Sequence, residues 1–145
     1  MSHNISKEMK RFNHLLGELD AVYHEMTLKL GLSDSVMRIL YTIYDSGGCC
    51  PLQHICRSSG LPKQTVNSAI RKLEGEGTLY LEPAGPKTKN VRLTEKGTLL
   101  AEQTAGRILH AEDDVLSSWP KEDVEKYLAL TENFLHALAE KSTDL

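Results

Sequence analysis

Between Leu52 and Gly97 short apolar-periodic segments alternate with breakers in an order that leaves few folds open. A short helix is expected from about Leu52 to Arg57, after which Ser58-Ser59-Gly60 turns the chain. The next segment predicts a helix from about Pro62 to Glu76, in which Val66, Ala69, Ile70 and Leu73 recur at helical spacing. Pro62 suits its first position, where the missing N–H would be unpaired anyway, and Gly77 closes it. Thr78-Leu79-Tyr80-Leu81-Glu82 and Val91-Arg92-Leu93 read as partner strands, with Pro83 to Asn90 as a turn-rich tip. Thr94 can then cap a long helix reaching about Ser117. Helix, glycine turn, helix, hairpin and capped helix, in that order, make a winged helix-turn-helix.

The flanks are helical. Met9, Phe12, Leu16, Leu19, Val22/Tyr23, Met26 and Leu30 follow a three-four spacing that predicts a helix over about Ser6 to Leu30, stopped by Gly31. Ser33 can cap a second helix whose buried face is Val36, Ile39, Leu40, Ile43 and Tyr44. A last helix starts at Trp119-Pro120, with Pro120 at its first position and Glu122 and Asp123 near its positive end. The fold class expected is mainly α with a small β-hairpin wing. The 145 residues suit one domain, with residues 5–30 and 98–141 as a helical lobe and 32–97 as the winged lobe.

The net charge of −3 conceals an uneven distribution. From Arg57 to Gly97 eight basic and four acidic residues give +4, which leaves −7 for the rest of the chain. An acidic body with one basic lobe can aim a single face at a polyanion. The helix after Gly60 supplies the chemistry on that face: Lys63, Gln64, Thr65, Asn67, Ser68 and Arg71 stand away from its apolar stripe. Gln and Asn can pair with adenine and Arg or Lys with guanine, while Thr65 and Ser68 are short enough for phosphates or a thymine methyl. Lys87 and Lys89 lie at the hairpin tip, where they can reach a minor groove or its phosphates.

Leu52-Gln53-His54-Ile55-Cys56, Gly60-Leu61-Pro62-Lys63-Gln64-Thr65-Val66, Leu73-Glu74-Gly75-Glu76-Gly77 and Val91-Arg92-Leu93-Thr94-Glu95-Lys96-Gly97 together resemble the MarR family of bacterial regulators. The order and length of the flanking helices extend the resemblance over nearly the whole chain. It implies a homodimer, closed by the N- and C-terminal helices, that holds a pseudo-palindromic operator in double-stranded DNA, acts most often as a repressor, and is released by a small molecule or oxidant. It also implies an Asp-x-Arg pair in the wing. Here that stretch reads Glu82-Pro83-Ala84-Gly85-Pro86-Lys87, with no arginine before Arg92, so Lys87 and Lys89 are left as the wing's cations.

Phe12, Leu16, Leu19, Tyr127, Phe134, Leu135 and Leu138 are the expected dimerisation residues, against the alternative of an intramolecular core. The resemblance implies a pocket for a small aromatic effector, for which Tyr23, Tyr41 and Tyr44 are candidates. Cys56 falls at an apolar helical position, and Cys49 and Cys50 have no basic neighbour in sequence, so all three read as structural rather than redox-active. His24-Glu25 and His110 with Asp114 offer too few ligands for a metal centre, and no cofactor is expected. No Gly-rich phosphate loop, Gly-x-Ser-x-Gly or catalytic carboxylate cluster points to an enzyme. The remaining rivals are a winged helix used for protein contacts and a cysteine- or metal-responsive sensor of the same fold. Met1-Ser2-His3-Asn4-Ile5-Ser6-Lys7 lacks an apolar stretch behind a basic cluster, and no apolar run approaches a membrane span. With the cysteine usage, a cytoplasmic protein is expected.

Overall fold

Two hydroxyl caps start the chain's first helices. In the computed structural model, which describes residues 4–145, the Ser6 hydroxyl accepts from the Met9 N–H at 3.0 Å and opens α1 (Lys7–Lys29). The Ser33 hydroxyl accepts from the Val36 N–H at 3.3 Å and opens α2 (Asp34–Asp45). Met1, Ser2 and His3, part of the stretch read against a secretory signal, lie outside the described residues. Ile39, Leu40 and Ile43 of α2 are fully buried and form the centre of the core.

The chain continues as β1 (Cys49–Pro51), α3 (Leu52–Ser58), α4 (Lys63–Gly75), β2 (Leu79–Gly85) and β3 (Thr88–Leu93). The wing is therefore a three-stranded antiparallel sheet of order β1-β3-β2, not a hairpin alone. Cys49, Cys50 and Pro51 face Arg92, Val91 and Asn90 across β1–β3, and Leu79 to Glu82 face Leu93 to Asn90 across β2–β3. The hairpin also runs further than expected: pairing continues to Gly85↔Thr88 through an irregularity between Pro83 and Gly85, so only Pro86-Lys87 forms the tip. Alternation puts Leu79, Val91 and Leu93 on the core face and Tyr80 and Arg92 on the open one.

After β3 come α5 (Glu95–Gln103), α6 (Ala105–Ser117) and α7 (Lys121–Ser142). The single helix expected from Thr94 to Ser117 is broken at Thr104, whose φ of −123° and ψ of −89° are not helical. Thr104 turns its hydroxyl back to the Leu100 carbonyl at 2.7 Å, and Gly106 just beyond lies against the Tyr44 ring, 3.1 Å from where a Cβ would stand. Pro62 and Pro120 stand at the N-cap positions of α4 and α7, one residue earlier than expected. Both keep extended backbone, with ψ of 144° and 140°, because neither is yet inside its helix.

The chain forms two compact units, one ending at Leu109 and the other His110–Leu145, and the boundary falls within α6. The core of the first unit joins α2, α3, α4, the sheet and α5, together with Ala105 and Ile108 of α6. In the second unit Trp119 and Tyr127 meet edge to face, with ring centroids 5.4 Å apart, and α7 has no buried residue. No helix among the described residues is long and apolar enough to cross a membrane.

Candidate nucleic-acid interface

The turn that sets α4 against α3 is fixed from three sides. Gly60 takes φ of +71°, which a side chain would resist, and Leu61 donates its N–H to the Ser59 hydroxyl at 3.3 Å. From α2, Arg38 donates through Nη1 to the Ser59 carbonyl at 3.3 Å. Helix α4 is then held by Val66, Ala69, Ile70 and Leu73, all buried, which turns its other face outward. Lys63, Gln64, Ser68 and Arg71 are exposed there, with Thr65 and Asn67 half-buried at its edges. Lys63, Asn67 and Arg71 are four residues apart and form one stripe about 12 Å long. Gln64 and Ser68 form the next stripe round the helix.

The first stripe faces the wing across an open cleft of about 660 Å³. Lys63, Asn67 and Arg71 line one side, and Lys87, Thr88 and Lys89 line the other. Leu52, Ile70 and Leu81 contribute an apolar floor. Five of the eight residues expected to contact DNA thus share this cleft, whereas Gln64, Thr65 and Ser68 do not line it. Arg57, at the last turn of α3, also lines it. Arg57 counts toward the lobe's basic excess, but its apolar-patterned helix gives no local sign that it faces α4 and the wing.

Two cations of the lobe are committed elsewhere. Arg92 donates through Nη2 and Nε to Glu82 Oε1, at 2.9 and 3.2 Å, across the open face of the sheet. That hydrogen bond is the main cause that pushes its guanidinium still further above its ordinary range. Lys96 donates to the Glu76 carbonyl at 2.7 Å and so satisfies the C-terminal end of α4. By contrast, Arg57, Lys63, Arg71, Lys87 and Lys89 have no carboxylate partner among the described residues.

The root of the wing is locked by Thr94 and Gly97. The Thr94 hydroxyl accepts from the Gly97 N–H at 3.0 Å and reaches the carbonyls of Gly77 and Thr78 at 2.6 and 3.1 Å. A Cβ on Gly97 would stand 1.8 Å from the Thr78 carbonyl oxygen, so the first turn of α5 can press on the start of β2 only through a glycine. The Leu-Thr-x-x-Gly run is a packing device.

The MarR family model matches residues 30–87, which span α2 to the wing tip. That segment, two fifths of the chain, is similar to the winged helix of the MarR family. The rest of the chain shares the fold of solved MarR-type proteins. A MarR family regulator from Neisseria meningitidis is 18% identical, with a TM-score of 0.82, 96% of this chain and 99% of that one being covered. MepR from Staphylococcus aureus, in its DNA-binding conformation, has 18% identity and a TM-score of 0.75 over 92% and 99% of the two chains. Bordetella bronchiseptica BpsR, whose DNA binding is regulated by 6-hydroxynicotinic acid, has 18% identity and a TM-score of 0.61 over 86% and 98%. No curated protein matches the sequence.

The other candidate residues are placed as follows. Tyr41 and Tyr44 of α2 are half-buried against the core, and Tyr23 of α1 is 39% exposed. His24 sets Nδ1 3.0 Å from the Asp34 carboxylate, joining α1 to the start of α2, while Glu25 pairs with Lys29 at 3.3 Å. Among the described residues, no three His, Cys, Asp or Glu side chains cluster as a metal site would need. Cys50 is buried, and desolvation pushes its thiol up. Cys49 and Cys56 are only half-buried, and Cys49 has Arg92 as its cross-strand partner, a basic neighbour that sequence distance conceals.

Proposed function

We propose that the protein is a sequence-specific, DNA-binding transcriptional regulator that acts as a homodimer on a pseudo-palindromic operator. The observation that carries this reading is the α4–wing surface, where a helix stripe with amide and guanidinium groups shares one cleft with two wing lysines. Gln64 and Asn67 are the base readers, Lys63 and Arg71 serve bases or phosphates, and Thr65 and Ser68 take phosphates or a thymine methyl. Residues 32–97 are the DNA-binding lobe, and residues 5–30 and 98–141 supply the dimer contacts.

A second copy is supported by the apolar residues left in water. On α1, Phe12, Leu16 and Leu19 are 37–49% exposed, and on α7 Tyr127, Phe134, Leu135 and Leu138 are 45–61% exposed. A reader of two half-sites needs two winged lobes at fixed spacing, which a dimer provides. Repression, with release by a small aromatic effector near Tyr23, Tyr41 and Tyr44, completes the reading. It is supported by BpsR, whose DNA binding 6-hydroxynicotinic acid regulates.

Selection of duplexes from a random library by the full chain, followed by binding measured across salt concentrations, tests the reading. A shared two-fold symmetric sequence bound with a steep salt dependence is the expected result. Weak, salt-insensitive binding to every duplex would leave a protein-contact module instead.

A further inference from the structure

Five cations from three separate elements surround the α4–wing cleft: Arg57 of α3, Lys63 and Arg71 of α4, and Lys87 and Lys89 of the wing. None has a carboxylate partner among the described residues, so the cleft keeps its full positive charge. The wing's only guanidinium, Arg92, is not at the tip but on the strand, with two of its nitrogens held by Glu82. The tip itself is short, since pairing runs to Gly85↔Thr88; it presents the Lys87 ammonium alone, and Lys89, expected at the tip, stands on β3 opposite Pro83.

These features select between the two things a wing can touch. A guanidinium is weakly hydrated and loses little on entering a narrow minor groove, whereas an ammonium is compact and strongly hydrated and keeps more of its water when it meets a phosphate at the surface. When a helix lies in the major groove, the sugar-phosphate ridge that bounds the groove must pass between that helix and the wing. The cleft lies there, with Lys63 and Arg71 on its helix side and Lys87 and Lys89 on its wing side. We infer that the α4–wing cleft clamps a single sugar-phosphate strand, and that the wing adds charge to this strand instead of entering the minor groove. This rests on the DNA-binding reading above and deepens it. The wing then contributes affinity with little sensitivity to the width of the flanking minor groove.

The probe is a duplex that the full chain has itself selected from a random library, with A·T-rich flanks added where the wings fall. Saturating netropsin, which fills A·T minor grooves, is expected to change the affinity less than about threefold. Lys87→Ala and Lys89→Ala are each expected to lower the slope of log K against log salt by about 0.9 per lost phosphate contact, and by twice that in a dimer. A neutral methylphosphonate on the flanking strand should abolish the effect of Lys89→Ala. Loss of binding beyond about threefold with netropsin, or unchanged slopes in both lysine variants, overturns the clamp and leaves DNA binding intact. Failure of the wild-type chain to select any duplex overturns the DNA-binding reading itself, and the clamp with it.

Discussion

Gly97→Ala is the sharpest test of how the wing is attached. The new methyl would lie 1.8 Å from the Thr78 carbonyl oxygen, 2.8 Å from its carbon and 3.2 Å from Thr78 Cγ2. Carbon and oxygen rest no closer than about 3.3 Å, so the α5 terminus and the start of β2 must part by about 1.5 Å. Two of the three atoms in the way are backbone, so no rotamer change relieves the contact. The Thr78 oxygen also accepts from the Thr94 N–H and hydroxyl, both at 3.1 Å, and separation stretches both bonds. Overpacking costs about 1–3 kcal/mol and each hydrogen bond about 1 kcal/mol, against a gain below about 1 kcal/mol from removing a helical glycine. A net loss of about 3 kcal/mol follows, or a Tm lowered by about 6–12 °C for a chain of this length. Thermal unfolding at one fixed protomer concentration measures it, because assembly makes Tm concentration-dependent. Gly75→Ala is the control. No atom lies within 4 Å of its Cβ, and it should unfold within about 1 kcal/mol of the parent. A Gly97→Ala protein as stable as the Gly75→Ala protein would refute the close packing of α5 on Thr78.

Three further outcomes follow from the surfaces and the core. Gln64→Ala and Asn67→Ala should each cost about 1–3 kcal/mol on the selected duplex and relax preference at one base, read by repeating the selection with each variant. Unchanged preference in both would displace α4 from the major groove. Leu135→Glu with Leu138→Glu removes two apolar side chains per subunit from the proposed dimer surface, each worth about 1.5–3 kcal/mol when buried. Sedimentation should show dissociation shifted by at least a hundredfold, and an unshifted equilibrium would place those leucines outside the interface. Because burial raises the Cys50 thiol, the native state holds its proton when the unfolded chain releases it. Cys50 therefore adds no pH dependence below the ordinary thiol range and lowers stability as pH rises through and above it. The difference in unfolding free energy between the parent and Cys50→Ala should be flat from about pH 6 to 8 and shrink above about pH 9. A difference that grew with pH would contradict the buried placement.

Helix α4 was legible because two local signals agree, a four-residue apolar stripe and glycine turns at both ends. Its reading face followed by subtraction. β1 was not legible: three residues with a proline give no period, and its partner strand lies about forty residues downstream. The break at Thr104 was equally hidden. Helix formers run from Leu99 to Gln103 and resume at Arg107, and the Tyr44 ring that lies against Gly106 is supplied by α2, far off in sequence. The same limit explains Arg57 and Cys49, whose relevant neighbours come from other elements. Periodicity finds elements, while cross-element contacts decide which side chains act together.

Charge shows why that distinction matters for function. The lobe's excess of +4 counts Arg92 and Lys96 as cations free to meet DNA, yet one is held by Glu82 and the other by the end of α4. Neutralising Arg92 also removes Glu82 as an opposing charge near the wing. Among the residues lining the cleft there are five cations and no carboxylate, although the whole chain is negative. Screening at physiological salt acts over about 8 Å, so a phosphate in the cleft responds chiefly to the charges that line it. Arg92 and Glu82 neutralise each other and neither lines the cleft, so its charge is that of the five unpaired cations. Attraction for a phosphate strand therefore rests on cations that three elements bring to one cleft, not on the lobe's total charge.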